Sequence, residues 1–397
     1  MKEIVGNFIS KIKYGSGKFT CPYCYAEHSV ADCGLKCSYN VIGNTDKKCK
    51  FGIQKYDDNK GYDWIPAANK KKCLECKEAA QQLFCYDNAD KEIPIEFLSI
   101  KSLPIALLGA KQSGKSNYIG VLVNEIREKM TSPFNCSLSM ACSKESMEAY
   151  NEWYFRPLYK EGRTVRGTDA GEVPPLIFPL RFLDAKSRIT NMAALTFYDT
   201  AGENLDRPEM MNIYNKYIVN AHGIILLLDP LQDPKIREDL KAKGFNSLPE
   251  ENTSINTVLE RIEDLIRKHE NNLKGKIKTP LALVFTKIDV LEQYDILPKD
   301  SCLREESEHI ERGVFIKSDF EDTNNHMKAL IGNLLDKNKD LKIKIGQFEE
   351  LAFFGVSALG CNPGSENIIG SGIRPRRVLD PLLWLLSKNK YIQTLAN

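Results

Sequence analysis

Two sets of residues stand out for the chemistry that their types and spacing permit. The first is Gly109-Ala-Lys-Gln-Ser-Gly-Lys-Ser116, which fits the pattern G-x-x-x-x-G-K-[ST]. Such a stretch holds phosphate when a strand precedes it and a helix follows. Unpaired N–H groups and the positive dipole end of that helix favour an anion, and Gly109 and Gly114 let the backbone approach without a Cβ in the way. Lys115 would reach the β and γ phosphates, and the Ser116 hydroxyl would ligate magnesium. Ser113 and Asn117 belong to the same nucleotide-contacting stretch, with Lys111 and Gln112 at positions often held by small residues. Either of the last two side chains could reach the phosphates or turn to solvent, and solvent is the commoner place for a lysine.

The second set is Cys21, Cys24, Cys33, Cys37, Cys49, Cys73, Cys76 and Cys85, eight of the twelve cysteines in the chain. "CPYC" and "CLEC" have the C-x-x-C spacing by which one tight turn offers two thiolates to a tetrahedral zinc ion. Eight ligands suit two zinc ions. The surrounding segment is rich in Lys, Asn and Asp and poor in large apolar residues, so metal would supply much of its folding energy. Redox use of a C-x-x-C pair is the rival, but it belongs at a strand-to-helix turn that this stretch does not resemble. One site could borrow His28 or a carboxylate, since "YDNAD" after Cys85 lacks the second cysteine of a repeated knuckle. Cys136, Cys142, Cys302 and Cys361 are dispersed and read as small packing residues.

The elements that must position these groups are visible as periodic patterns. Ile105, Leu107 and Leu108 form an apolar run before the glycine-rich stretch, and Ile119, Leu122, Val123 and Ile126 follow it at helical spacing. Further runs lie at 176–183, 193–199, 223–229, 280–289 and 350–358, continuous enough for strands buried on both faces. Between them, Ile255, Val258, Leu259, Ile262 and Ile266 make one helical stripe. Ser318 and Glu321 have capping-box spacing before Met327, Leu330, Ile331 and Leu334. The expected fold is α/β, a mostly parallel six-stranded sheet with helices on both faces and ligands at the carboxyl ends of the strands. The expected organisation is a zinc module over 15–90, a linker over 91–100 and the larger domain over 101–397.

Composition fits that picture. A 397-residue chain that is 42% hydrophobic and 27% charged has room for two domains with a sizeable core. The formal charge of +2 lends nucleic acid no support, and no apolar run is long enough to span a membrane. The N-terminus has charges on both sides of too short an apolar patch for a signal peptide, so a cytoplasmic protein is expected.

Strand ends carry the remaining chemistry. "FYDTAGE" places Asp199 at one, where a carboxylate can hold magnesium through water, and Gly202 three residues on, where an N–H can bond the γ phosphate. "FTKID" contributes Thr286, Lys287 and Asp289, and "VSALG" contributes Ser357, Ala358 and Leu359. Taken in order, these motifs resemble the P-loop GTPases of the translation-factor and Ras-like class. The resemblance implies GTP or GDP with magnesium as ligands. It implies that Asp289 pairs with the guanine N1 and N2 donors, that Lys287 packs along the base, and that Ser357 with Ala358 closes over the guanine O6. With "CPYC", the run "LLLDPLQ" and "RVLDPLLWLL", the chain more closely resembles bacterial double-GTPase proteins of the second type. That implies a conflict or effector system and a protein partner, either a second GTPase or another copy of the chain.

Departures from the Ras-like pattern fall on the catalytic groups. Glu203 stands where many relatives have a water-orienting glutamine; it could act as a base but cannot donate as an amide does. Thr168 is the expected switch threonine and third magnesium ligand, with Thr164 as the alternative. Three readings follow: a GTPase switch that is slow without a partner, a non-hydrolysing GTP-bound scaffold, or a zinc module that reads nucleic acid.

Overall fold

The computed structural model describes residues 18–23, 25–29, 34–37, 65–66, 80–84, 92–93, 104–109, 113–138, 144–166, 176–197, 215–245, 248, 255–270, 275–332, 339–364, 367–370 and 372–396. The chain divides into two compact units, Met1–Ser102 and Leu103–Asn397.

In the larger unit the apolar runs become the strands β1 (Pro104–Gly109), β3 (Leu176–Leu183), β4 (Ile189–Phe197), β5 (Gly223–Leu228), β6 (Leu281–Phe285) and β7 (Leu351–Gly355). A further short strand, β2 (Cys136–Leu138), makes the sheet seven-stranded, in the order β7-β6-β5-β1-β4-β3-β2. The expectation of six strands is corrected by this edge strand, whose sequence Cys-Ser-Leu is too short and too polar to register as an apolar run. The strands from β7 to β4 are parallel neighbours, whereas β3 and β2 are antiparallel additions. The Asp184 carboxylate shapes the turn between β3 and β4 by accepting the Lys186 and Arg188 N–H groups. Central strands β5 and β6 are buried at every residue, as strands covered on both faces must be.

Helices α1 (Lys115–Glu125), α2 (Lys144–Tyr150), α3 (Pro234–Ala242), α4 (Ile255–Glu270), α5 (Ile288–Gln293), α6 (Glu308–Arg312), α7 (Lys317–Leu330), α8 (Lys339–Ile345) and α9 (Asp380–Lys388) accompany the sheet. Ile119, Leu122, Val123 and Ile126 are fully buried as their spacing predicts, but so are Tyr118 and Val121. Helix α1 is therefore a core element with little exposed face. Tyr150 caps one of its carbonyls, donating to Gly120, and Tyr118 donates to the carbonyl of Val378.

The capping box expected at Ser318 is not formed. Helix α7 begins at Lys317 behind Ile316, without a side-chain cap, and Glu321 pairs instead with Lys317 at 3.3 Å. The stripe beyond is as expected at Met327 and Ile331, both buried.

Below α7 lies a buried ionic network. Arg377 donates to both carboxylate oxygens of Asp319 and to Asp380, each at 2.9 Å. His309 Nδ1 accepts the Ile316 N–H, and its Nε2 lies 3.5 Å from Asp319. This polar knot sits beside Trp384, which packs against Phe320 and Phe354.

In the smaller unit, Lys18–Thr20 and Glu27–Ser29 form an antiparallel hairpin. A four-stranded antiparallel sheet runs in the order Ile65–Pro66, Gly34–Cys37, Ala80–Phe84, Glu92–Ile93. Glu92–Ile93, within the segment expected to be a linker, is thus an edge strand of this sheet. Among the described residues no helix is long and apolar enough to cross a membrane.

Candidate functional site

The glycine-rich stretch runs from the carboxyl end of β1 into α1, with Lys115 as the first helical residue. Gly114, the residue before the helix, has φ +79°, a left-handed conformation that a side chain would strain. A Cβ at Gly109 would lie 2.5 Å from the Ser113 hydroxyl and 3.2 Å from Leu227 Cβ, so the loop is folded tightly onto β5. Ser113 is fully buried, and its hydroxyl has no hydrogen-bond partner among the described residues. Ser116 and Asn117 follow on α1, both half-buried. Lys111 and Gln112 lie outside the described residues.

Thr286 and Ser113 join two distant motifs. The Thr286 hydroxyl donates to the main-chain carbonyl of Ser113 at 2.9 Å, and its N–H donates to Leu228. The next residue, Lys287, has φ 56° and forms an ion pair of 2.6 Å with Asp229 at the end of β5. Asp229 is itself fixed, since its other oxygen accepts the Leu231 N–H.

Asp289 lies in the first turn of α5 and accepts from the Ser357 hydroxyl at 2.6 Å. That hydroxyl also accepts the Gly360 N–H, and Ser357 exchanges both main-chain hydrogen bonds with Arg376. Burial pushes the Asp289 carboxyl above its ordinary range, while the Ser357 hydroxyl, Arg376 and Lys287 act against that rise. Arg376 is anchored by Glu292, which also pairs with Arg304. Ala358 and Leu359 continue the loop beside Ser357, and Leu359 accepts the Arg374 N–H.

A second loop is tied to α1. Asn117 accepts the Val165 N–H at 2.9 Å, and residues 162–164 bond to 367–369 through Ile369 N–H to Gly162 and Thr164 N–H to Asn367. Thr164 is therefore held at the root of the segment expected to contain the switch threonine. Thr168, Asp199, Gly202 and Glu203 lie outside the described residues.

Among the cysteines, Cys21 is buried at the hairpin turn, where the Tyr23 N–H points at its sulfur at 3.5 Å. Cys37 ends a strand. Cys24, Cys33, Cys49, Cys73, Cys76 and Cys85 lie outside the described residues, while His28 sits in the hairpin opposite Phe19.

Sequence reasoning missed Asp229, Asn117's bond to Val165, and the Arg376 strap over Ser357. Asp229 had a signal: it is an acid at the end of a continuous apolar run, as Asp199 is. The other two depend on loop pairings that no spacing rule encodes.

A glycine-rich turn between the central strand and a buried helix, with polar motifs gathered at the carboxyl edge of a mostly parallel sheet, is the arrangement of a P-loop nucleotide-binding domain. The profile of the Double-GTPase 2 family matches residues 103–332, and the chain belongs to that family. A Mycolicibacterium smegmatis protein named "Putative ESX-1 scaffolding and assembly protein SaeC" is 25% identical over 310 residues, covering 71% of this chain and 74% of that protein. Two solved structures are similar at low score. The GTPase-like domain of Saccharomyces cerevisiae Ski7 bound to GTP is 14% identical with a TM-score of 0.34; the match covers 73% of this chain and spans only 50% of the Ski7 chain. The Chaetomium thermophilum signal recognition particle receptor SRb-GTP/SRX complex is 13% identical with a TM-score of 0.28, covering 67% and 95%.

Proposed function

We propose that the unit Leu103–Asn397 binds guanine nucleotide with magnesium and hydrolyses GTP as a switch. The observation that supports this reading best is the pair of links Thr286–Ser113 and Asp289–Ser357. They put a half-buried carboxylate and the phosphate-loop backbone on one sheet edge. A carboxylate suits the two donors on the guanine edge, where adenine presents an acceptor. Gly109, Gly114, Lys115 and Ser116 would hold the phosphates, and Ser116, Thr168 and Asp199 would hold magnesium, which supplies charge neutralisation at the phosphates. Thr168 and Gly202 would respond to the γ phosphate, with Glu203 placed as base for the attacking water. In this reading hydrolysis is slow until a partner or second copy completes the site.

Residues 15–90 are the zinc module in this reading, joined through 91–100 to the nucleotide-binding domain at 101–397. Cys21 at a tight hairpin turn, with a peptide N–H directed at its sulfur, fits the way a zinc-bound thiolate is supported. The module would dock a protein partner in the cytoplasm.

A second reading is a GTP-bound assembly scaffold without turnover, favoured by the name of the Mycolicibacterium smegmatis relative. Single-turnover assays of GTP and ATP with magnesium, across protein concentrations, separate the two. The switch predicts GTP-selective hydrolysis, abolished by Lys115→Ala, whose rate climbs when a second copy or partner is added. Tight GTP binding with no turnover under any of these conditions selects the scaffold, and equal binding of ATP sinks both.

A further inference from the structure

We infer that Asp229, which belongs to none of the nucleotide-binding motifs, is a positioning residue that fixes Lys287 and so sets how long guanine nucleotide stays bound. The inference rests on the guanine-nucleotide reading. Its basis is a geometry in which the two side chains differ sharply in freedom. The Asp229 side chain is 2% exposed and receives the Leu231 N–H, so it cannot swing away. The Lys287 side chain is 30% exposed, yet its ammonium meets that carboxylate at 2.6 Å.

Lys287 stands between the two residues that join the halves of the site. Thr286 on one side bonds the phosphate-loop carbonyl, and Asp289, two residues on, bonds Ser357. A lysine in water samples many rotamers, and ordering it on ligand binding carries an entropic cost. With its ammonium tied to a buried carboxylate, the stem is ordered before any nucleotide arrives. Preorganisation of this kind strengthens binding without a new contact to the ligand. The pair also cancels its own charge. Lys287 therefore adds no net attraction for an extra phosphate, and its loss should affect diphosphate and triphosphate alike.

The test measures dissociation of a fluorescent GDP and a fluorescent GTP analogue from the full chain, in wild type, Asp229→Asn, Lys287→Met and the double variant. Asp229→Asn is expected to speed dissociation of both nucleotides by about tenfold, the size of one charge-assisted hydrogen bond. In the Lys287→Met background the same change should have little further effect, because Asp229 acts through the lysine. Asp229→Glu, which keeps the carboxylate, should lie closer to wild type than Asp229→Asn does. Equal effects of Asp229→Asn in both backgrounds would make Asp229 merely structural and overturn the inference. So would wild-type dissociation in Lys287→Met, a result that stands even if Asp229→Asn does not fold. Failure of the wild type to bind guanine nucleotide is read in the first arm and removes the parent reading along with this one. Normal wild-type binding with unchanged variants removes this one alone.

Discussion

The hydroxyl of Thr286 donates to the carbonyl of Ser113 across 2.9 Å, linking residues 173 positions apart in the chain. Both groups are buried, so the bond has no water to replace it. Thr286→Val keeps the shape and removes the donor, which leaves a buried carbonyl short of a partner at a cost of roughly 1–3 kcal/mol. Thermal unfolding with and without nucleotide should show a lower midpoint in both, and a weaker rise on adding GTP. An unchanged rise would mean that the phosphate loop holds its form without this tie.

If Asp289 reads the guanine edge as proposed, its raised pKa makes nucleotide binding depend on pH. Only the ionised carboxylate can accept from both guanine donors, so affinity should fall as the pH is lowered through the raised value. Apo stability moves the other way, since protonating a half-buried carboxyl whose pKa is raised favours the folded state at low pH. Titrating nucleotide affinity from neutral pH downward tests the sign. Asp289→Asn should bind GTP poorly at every pH and lose the slope, and should gain affinity for a xanthine nucleotide, whose C2 carbonyl suits an amide donor. A slope that survives the substitution would assign the titration to another group.

Arg377 neutralises two carboxylates in a place where water does not reach. Its side chain is 2% exposed, and those of Asp319 and Asp380 are 8% and 4%. Arg377→Met should destabilise the larger unit by about 3–5 kcal/mol, because it strands buried charge. Denaturant unfolding measures it. Burial holds the neighbouring His309 below the usual histidine range, with Asp380 and Asp319 opposing that fall. The folded state thus binds its proton less readily than the unfolded one. Stability is full above the ordinary histidine pKa and is lost as pH falls through that range towards the depressed folded value. His309→Asn should flatten that part of the stability curve.

Metal analysis of the purified full chain checks the module before residue 91. Two zinc ions per chain are expected from eight cysteines that include two C-x-x-C pairs, and a strong chelator should unfold this module while the larger unit keeps its own melting transition. Less than one zinc per chain, with free thiols that titrate readily, would return these cysteines to packing or redox roles.

Much of the fold was legible because burial on both faces leaves a plain mark. Runs such as Gly223–Leu228 and Leu281–Phe285 have no polar residue to interrupt them, and the structure makes each a central strand. Cys136–Leu138 left no such mark, because an edge strand of three residues needs only backbone pairing with β3. Ser318 misled for a related reason: capping-box spacing describes what a helix start can use, and Ile316 in an extended conformation already turned the chain into α7 one residue earlier. At the site, the structure links Thr286 to Ser113 and Asp289 to Ser357. Asp229 was marked by its place at the end of an apolar run, though its partner Lys287 was not, whereas Arg376 was hidden because its role arises from pairing between loops, which depends on distances that spacing along the chain does not carry.

Tyr217 shows what such pairing does to mechanics. Its buried hydroxyl accepts the Leu107 N–H and donates to the Thr196 carbonyl, each at 2.6 Å, where β1 and β4 part. These strands lead to the phosphate loop and to Asp199. A slip of one strand past the other by a single residue, about 3.3 Å, would break both bonds at once. The phenol is a rivet: the two strands it joins keep a fixed alignment and give both halves of the sheet a common datum.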